Sequence, residues 1–124
     1  ATQDLNFATI CAGQMGNMVF GHQLGSSAYL CTFAPFLPSI ALEFFKKLDT
    51  GQYEDALKFV AKYEEPWLKT AVDVDWMYAV KIAIHMAGLY PNNRVAPPYK
   101  ATTPEQVKKV HDSLKQIFGP DLFE

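Results

Sequence analysis

The order of apolar and polar positions changes period along this chain. Asn6 to Ala12 is a short apolar run that ends in a glycine-rich turn, the pattern of a strand buried on both faces. Asn17 to Leu24 can form a short helix closed by Gly25, and a second apolar run, Ala28 to Phe33, stops at Ala34-Pro35-Phe36-Leu37-Pro38. Strand, helix and strand at this spacing predict a βαβ unit with parallel strands and a right-handed crossover.

Beyond Pro38 the period is helical. Ile40, Ala41, Phe44, Phe45 and Leu48 mark one apolar face, which Asp49-Thr50-Gly51 brings to an end. Tyr53, Ala56, Leu57, Val60, Tyr63 and Trp67 follow the i, i+3, i+4, i+7 rule, with Glu54, Asp55, Lys58, Lys62 and Lys69 mainly opposite, so this helix is half buried. Asp73 or Asp75 can cap the next helix, Trp76 to Ala87, which is apolar nearly all round apart from Lys81 and His85 and stops at Gly88. A loop with Pro91, Pro97 and Pro98 follows. Thr103-Pro104-Glu105-Gln106 then supplies an N-cap, a proline at the first helical position and a capping-box Gln. The last helix puts Val107, Val110, Leu114, Ile117 and Phe118 on one side.

Two strands and about five helices admit two architectures. Helices can cover a small sheet in an α+β domain, or the chain can be the end of a larger α/β protein. The second reading explains two-sided apolar strands with open edges and an all-round apolar helix, each of which needs neighbours on most sides.

Composition bounds the class. The chain has 124 residues, 49% apolar and 19% charged, with a formal charge of −2, which excludes disorder, a repetitive fibre and a strongly basic nucleic-acid binder. The opening Ala1-Thr2-Gln3-Asp4 lacks a basic region followed by an apolar stretch, so no signal peptide is expected. Trp76 to Leu89 is too short for a membrane span. Cys11 and Cys31 have no metal-type spacing, and a reduced, cytoplasmic setting is expected.

Several motifs then suggest a family. Gly25-Ser26-Ser27-Ala28-Tyr29-Leu30-Cys31-Thr32-Phe33-Ala34-Pro35-Phe36-Leu37-Pro38, followed by Ala41-Leu42-Glu43-Phe44-Phe45 and Gly51-Gln52-Tyr53-Glu54-Asp55-Ala56, resembles the last barrel strand and helix of the dihydrodipicolinate synthase/N-acetylneuraminate lyase family. Ala79-Val80-Lys81 to Ala87-Gly88-Leu89 and Arg94-Val95-Ala96-Pro97-Pro98-Tyr99 are similar to that family's following helix and its "Arg-Pro-Pro-Leu" segment, and Phe7 to Gly13 falls where the seventh strand belongs.

The resemblance implies an α/β fold: the C-terminal part of a (β/α)8 TIM barrel, with its last two parallel strands and a C-terminal helical extension. Residues 1–50 would hold the last βαβα of the barrel and residues 51–124 the extension. Such a barrel takes about 250 residues, so the chain would be roughly its last two-fifths, with its aromatic surfaces packing against the remainder.

The implied activity is that of a Schiff-base aldolase, lyase or dehydratase acting on a 2-oxo acid of the pyruvate type. A lysine amine attacks the keto carbon, and the protonated imine acts as an electron sink. No cofactor is implied. In the family this lysine is on the sixth strand and an assisting tyrosine on the fourth, both upstream of this chain. Lys46, Lys47, Lys58, Lys62, Lys69, Lys81, Lys100, Lys108, Lys109 and Lys115 map to helices or a loop, whereas barrel chemistry occurs at the C-terminal ends of strands. No catalytic residue is therefore expected within the chain, and Tyr29 is read as core packing.

Substrate contacts would come from Gly13, Gln14 and Met15 after the first strand and from Cys31, Thr32 and Phe33 at the end of the second. Gln14, Met15 and Pro35 depart from the family pattern, and a Met and a Phe at the mouth would favour a less polar substrate tail. The implied partners are the 2-oxo acid, the N-terminal remainder of the barrel and further copies in a homo-oligomer, with neither nucleic acid nor membrane. Two alternatives remain open: a sugar-acid dehydratase, because Ala41-x-x-Phe44-Phe45 and Tyr78-Ala79-Val80 also resemble the deoxyglucarate dehydratase branch, and a non-catalytic module that binds partners through an apolar helical surface.

Other groupings have structural explanations. Gly13-x-x-Gly16 resembles a phosphate-cradling loop but lacks the full fingerprint, so a turn is expected. His22, His85 and His111 fall on separate helices without ligand spacing, and no metal site is expected. Cys31 at a strand end could line a pocket. Glu64-Glu65-Pro66 is read as a solvated bend near a helix kink.

Overall fold

A computed structural model describes residues 8–123. Two strands, β1 (Ile10–Cys11) and β2 (Ala28–Tyr29), pair in parallel with Ile10 opposite Ala28 and Cys11 opposite Tyr29. The crossover between them is helix α1 (Met15–Gln23). Then come α2 (Pro38–Asp49), α3 (Tyr53–Phe59), a π-helical turn over Val60–Glu64, α4 (Glu65–Val74), α5 (Trp76–Met86) and α6 (Pro104–Phe118). Asn6 and Phe7, placed in the first strand by sequence, lie outside the described residues.

The expected fold class is overturned. Helix makes up 59% of the described residues and strand 3%, which is a mostly helical chain with a two-stranded ribbon and not part of a sheet-rich (β/α)8 TIM barrel. The physical reason lies in the second apolar run. Its hydrophobic residues do not continue the strand: β2 stops at Tyr29, and the chain turns so that Phe33 and Phe36 enter a helical core. There the Phe33 ring centroid lies 5.8 Å from Phe36, 6.2 Å from Trp67 and 5.7 Å from Phe118. Phe33, Phe44 and Trp67 are fully buried, so much of the aromatic content that was expected to face a missing barrel packs against itself.

Local chemistry sets the helix ends. Pro38 occupies the first turn of α2, where a missing N–H costs nothing, and Gly51 follows the helix with φ +72°. Asp75, at φ +79°, joins α4 to α5 and accepts the Met77 N–H at 2.9 Å. Thr103 and Gln106 complete the capping box of α6: Thr103 Oγ1 accepts from Gln106 N at 3.2 Å, and Gln106 Oε1 accepts from Thr103 N at 2.9 Å. Gln106 Nε2 also donates to the Val74 carbonyl, which ties the start of α6 to the end of α4.

The helix predicted over 53–67 runs on to Val74, with a π turn inside it. Pro66 has no N–H to offer the carbonyl four residues earlier, and its ring crowds that carbonyl; a widened turn just before it relieves both effects. The π turn also swings Glu64 toward the start of α1.

Candidate functional site

Because β1 and β2 are parallel, the segments leaving their carboxyl ends lie side by side. Parallel sheets bind ligands at that end. A cavity of about 310 Å³ opens there, lined by Gly13 after β1, by Leu30, Cys31, Thr32 and Pro35 after β2, and by Trp76 and Val80 from α5. Gly13 adopts φ +80°, a conformation that favours glycine, and leads straight into α1. The Leu30 N–H donates to the Cys11 carbonyl at 3.2 Å, holding the two exits together.

Of the residues expected from sequence, Gly13, Cys31 and Thr32 border the cavity. Gln14 is exposed at the N-cap of α1 and makes no side-chain cap hydrogen bond. Met15 and Phe33 are 1% and 0% exposed and belong to the core, so neither supplies the apolar character of the mouth. That character comes instead from Leu30, Pro35, Trp76 and Val80. Trp76 and Val80 carried no sequence signal beyond belonging to an apolar helix.

Two polar groups at this end have distinct environments. Thr32 is 8% exposed, and its Oγ1 is buried with no hydrogen-bond partner among the described residues. Tyr29 donates its hydroxyl to Cys31 Sγ at 3.0 Å and stacks on Phe45 at 6.2 Å between centroids. Burial pushes the Tyr29 phenol well above its ordinary range, and the Cys31 hydrogen bond and the charge of Glu64 push the same way. It therefore stays protonated as the donor to sulfur, and its ring is partly buried against the core. None of the lysines lines the cavity.

An anion does occupy the start of α1, and it is internal. Glu64 Oε1 accepts the Met15 N–H at 2.6 Å and Oε2 accepts the Gly16 N–H at 2.9 Å. The expected solvated bend is thus a buried carboxylate, 2% exposed, filling the position that Gly13-x-x-Gly16 offers an anion. Burial raises its carboxyl above the ordinary value, the two backbone N–H groups oppose that rise, and the charge of Glu65 adds to it. A sequence signal existed: Val60, Glu64, Trp67, Ala71 and Val74 share one helical stripe, and Glu64 is its polar member.

The histidines are separate. His22 Nδ1 is 3.1 Å from the Tyr53 hydroxyl, His85 Nδ1 is 2.8 Å from the Tyr90 carbonyl, and His111 lies beside Asp112. Among the described residues no group of three or more His, Cys, Asp or Glu side chains is placed to hold a metal ion. A second, polar groove runs between α4 and α6, where the Thr70 and Ser113 hydroxyls meet at 2.7 Å and Lys109 pairs with Asp73 at 3.1 Å. No helix among the described residues is long and apolar enough to cross a membrane. No family model, curated protein or solved structure matches the chain.

Proposed function

We propose that this chain is the substrate-side portion of a Schiff-base-forming lyase acting on a 2-oxo acid of the pyruvate type, with the imine-forming lysine supplied from outside the chain. One observation carries the reading: the cavity at the carboxyl ends of two parallel strands, bordered by Gly13, Cys31 and Thr32. The motif resemblance from Gly25 to Ala56 and from Ala79 to Tyr99 supports it.

In this reading the amine of the external lysine adds to the keto carbon and water departs. The protonated imine then accepts the electron pair of the bond that breaks. The residues of this chain bind and orient the part of the substrate remote from its carboxylate.

Borohydride reduction in the presence of pyruvate tests the proposal, since it turns an imine into a stable secondary amine readable by mass. The 124-residue chain is expected to stay unmodified, and a longer protein that includes the residues preceding Ala1 is expected to gain one pyruvate-derived group. A modified lysine within the chain contradicts the assignment of the nucleophile, and an unmodified longer protein contradicts the lyase reading.

A second reading, a non-catalytic interaction module, is favoured by the apolar surface left open around the ribbon. Ile10, Phe20, Leu24 and Leu30 are all more than half exposed. Both strands of the ribbon also keep an unpaired edge among the described residues.

A further inference from the structure

The wall of the strand-end cavity is chemically narrow. Leu30, Pro35, Trp76 and Val80 form most of it, and no lining residue carries a charge. Trp76 is 37% exposed and Leu30 68%, so both side chains can be reached from solvent. At about 310 Å³ the space suits a small molecule and is too small for a helix or an extended peptide. Its hydrogen-bonding capacity is also small: the Cys31 sulfur already receives the Tyr29 hydroxyl, Thr32 Oγ1 is its one buried side-chain group with no partner among the described residues, and the Trp76 indole N–H is a donor only.

We infer that the cavity receives the apolar tail, aromatic or branched aliphatic, of a carboxylic acid substrate whose carboxylate faces outward, with Thr32 beside the tail. That the substrate is a carboxylic acid, and a 2-oxo acid, rests on the lyase reading above; the apolar tail rests on the cavity wall alone. A polyhydroxylated tail would bury several hydroxyls against Leu30, Pro35, Trp76 and Val80 with only the Thr32 hydroxyl and the Trp76 indole N–H as free side-chain partners, and each unmatched hydroxyl loses its hydrogen bonds to water. The sugar-acid dehydratase alternative is therefore disfavoured. Trp76 offers the broadest contact surface, and its indole face suits a ring or a branched chain.

Calorimetric titration of the 124-residue chain tests this with five probes: phenylpyruvate, 4-methyl-2-oxopentanoate, pyruvate, 3-phenylpropanoate and 2-dehydro-3-deoxygluconate. The apolar-tailed acids are expected to bind at least about tenfold more tightly than the polyhydroxylated one. Trp76→Ala is expected to weaken 3-phenylpropanoate binding several-fold, and Val80→Phe, which fills the cavity, to abolish it while circular dichroism stays unchanged. Equal or tighter binding of the sugar acid overturns the inference. So does binding that neither variant affects, or an absence of binding by every probe. Tight 3-phenylpropanoate binding with no borohydride labelling of the longer protein overturns the lyase reading and leaves the cavity assignment standing. Labelling without any tail preference overturns the cavity assignment alone.

Discussion

The carboxylate of Glu64 accepts the backbone N–H of Met15 at 2.6 Å across 49 positions of sequence. With the neighbouring bond from Gly16, it fastens the crossover helix α1 to the long helical segment and sets the direction in which the chain leaves β1 for the cavity. A side chain that sequence alone assigns to solvent is thus a buried polar link between the crossover helix and the long helical segment.

Replacing Glu64 with Ala should destabilise the chain by about 1 to 3 kcal/mol, because two backbone donors lose their acceptor in a buried setting. The pH dependence follows from the raised carboxyl. A folded-state pKa above the unfolded value of about 4.5 contributes stability that is fully present below that value and is lost as pH rises through the raised one. The stability of the native chain relative to Glu64→Gln should therefore fall across this window. Urea unfolding of both proteins over a pH series checks the slope, and a difference that stays flat or grows with pH would contradict it.

Gly21 lets α1 lie against β1. A Cβ at this position would fall 2.0 Å from Cys11 Sγ, so Gly21→Ala forces the sulfur or the helix to move. Overpacking of this kind costs about 1 to 3 kcal/mol, partly offset by the better helix propensity of alanine. Adding Cys11→Ala removes the sulfur and should restore most of the loss. Thermal melts of the single and double variants decide it: a double variant no more stable than Gly21→Ala would show that the contact is not the cause.

Phe33 and Leu30 separate core from cavity. Phe33→Ala should cost about 3 to 5 kcal/mol, since a fully buried ring leaves a void among Phe36, Trp67 and Phe118. Leu30→Ala, at a residue 68% exposed, should change stability little. Chemical denaturation of the two variants would read the contrast, and similar losses in both would move Leu30 into the core.

The local signals were legible because they are short-range. The capping box at Thr103 and Gln106, a cap at Asp73 or Asp75, the stop at Gly51 and the faces of the long helices depend on neighbours a few residues apart. The fold class was not legible, because an apolar run of strand length such as Ala28–Phe33 fits a buried strand as well as a strand end followed by an aromatic anchor. Only the distant partners Trp67 and Phe118 decide between them. The site divides the same way. Gly13, Cys31 and Thr32 were named through the family resemblance and border the cavity, whereas Trp76 and Val80 arrive from a helix more than 40 residues downstream whose docking no local pattern encodes.

Thr103→Ala should remove about 1 kcal/mol of stability, a typical capping loss. The same change leaves the Gln106 N–H without its acceptor, while the Gln106 side chain keeps the Thr103 N–H and the Val74 carbonyl, so fraying should stay within the first turn of α6. Amide hydrogen exchange would show faster exchange in the first turn of α6, and unchanged exchange there would mean that the cap contributes nothing.

The claim that joins fold to function is that the strand ends form a ligand cavity, and backbone amide shift mapping by NMR tests it most directly. Titration of the 124-residue chain with 4-methyl-2-oxopentanoate should shift the amides of Gly13, Leu30, Thr32 and Trp76 along saturable curves, leaving Thr70 and Ser113 in the α4–α6 groove unmoved. Shifts centred on that groove, or none at Gly13 and Thr32 at saturating acid, would contradict the account.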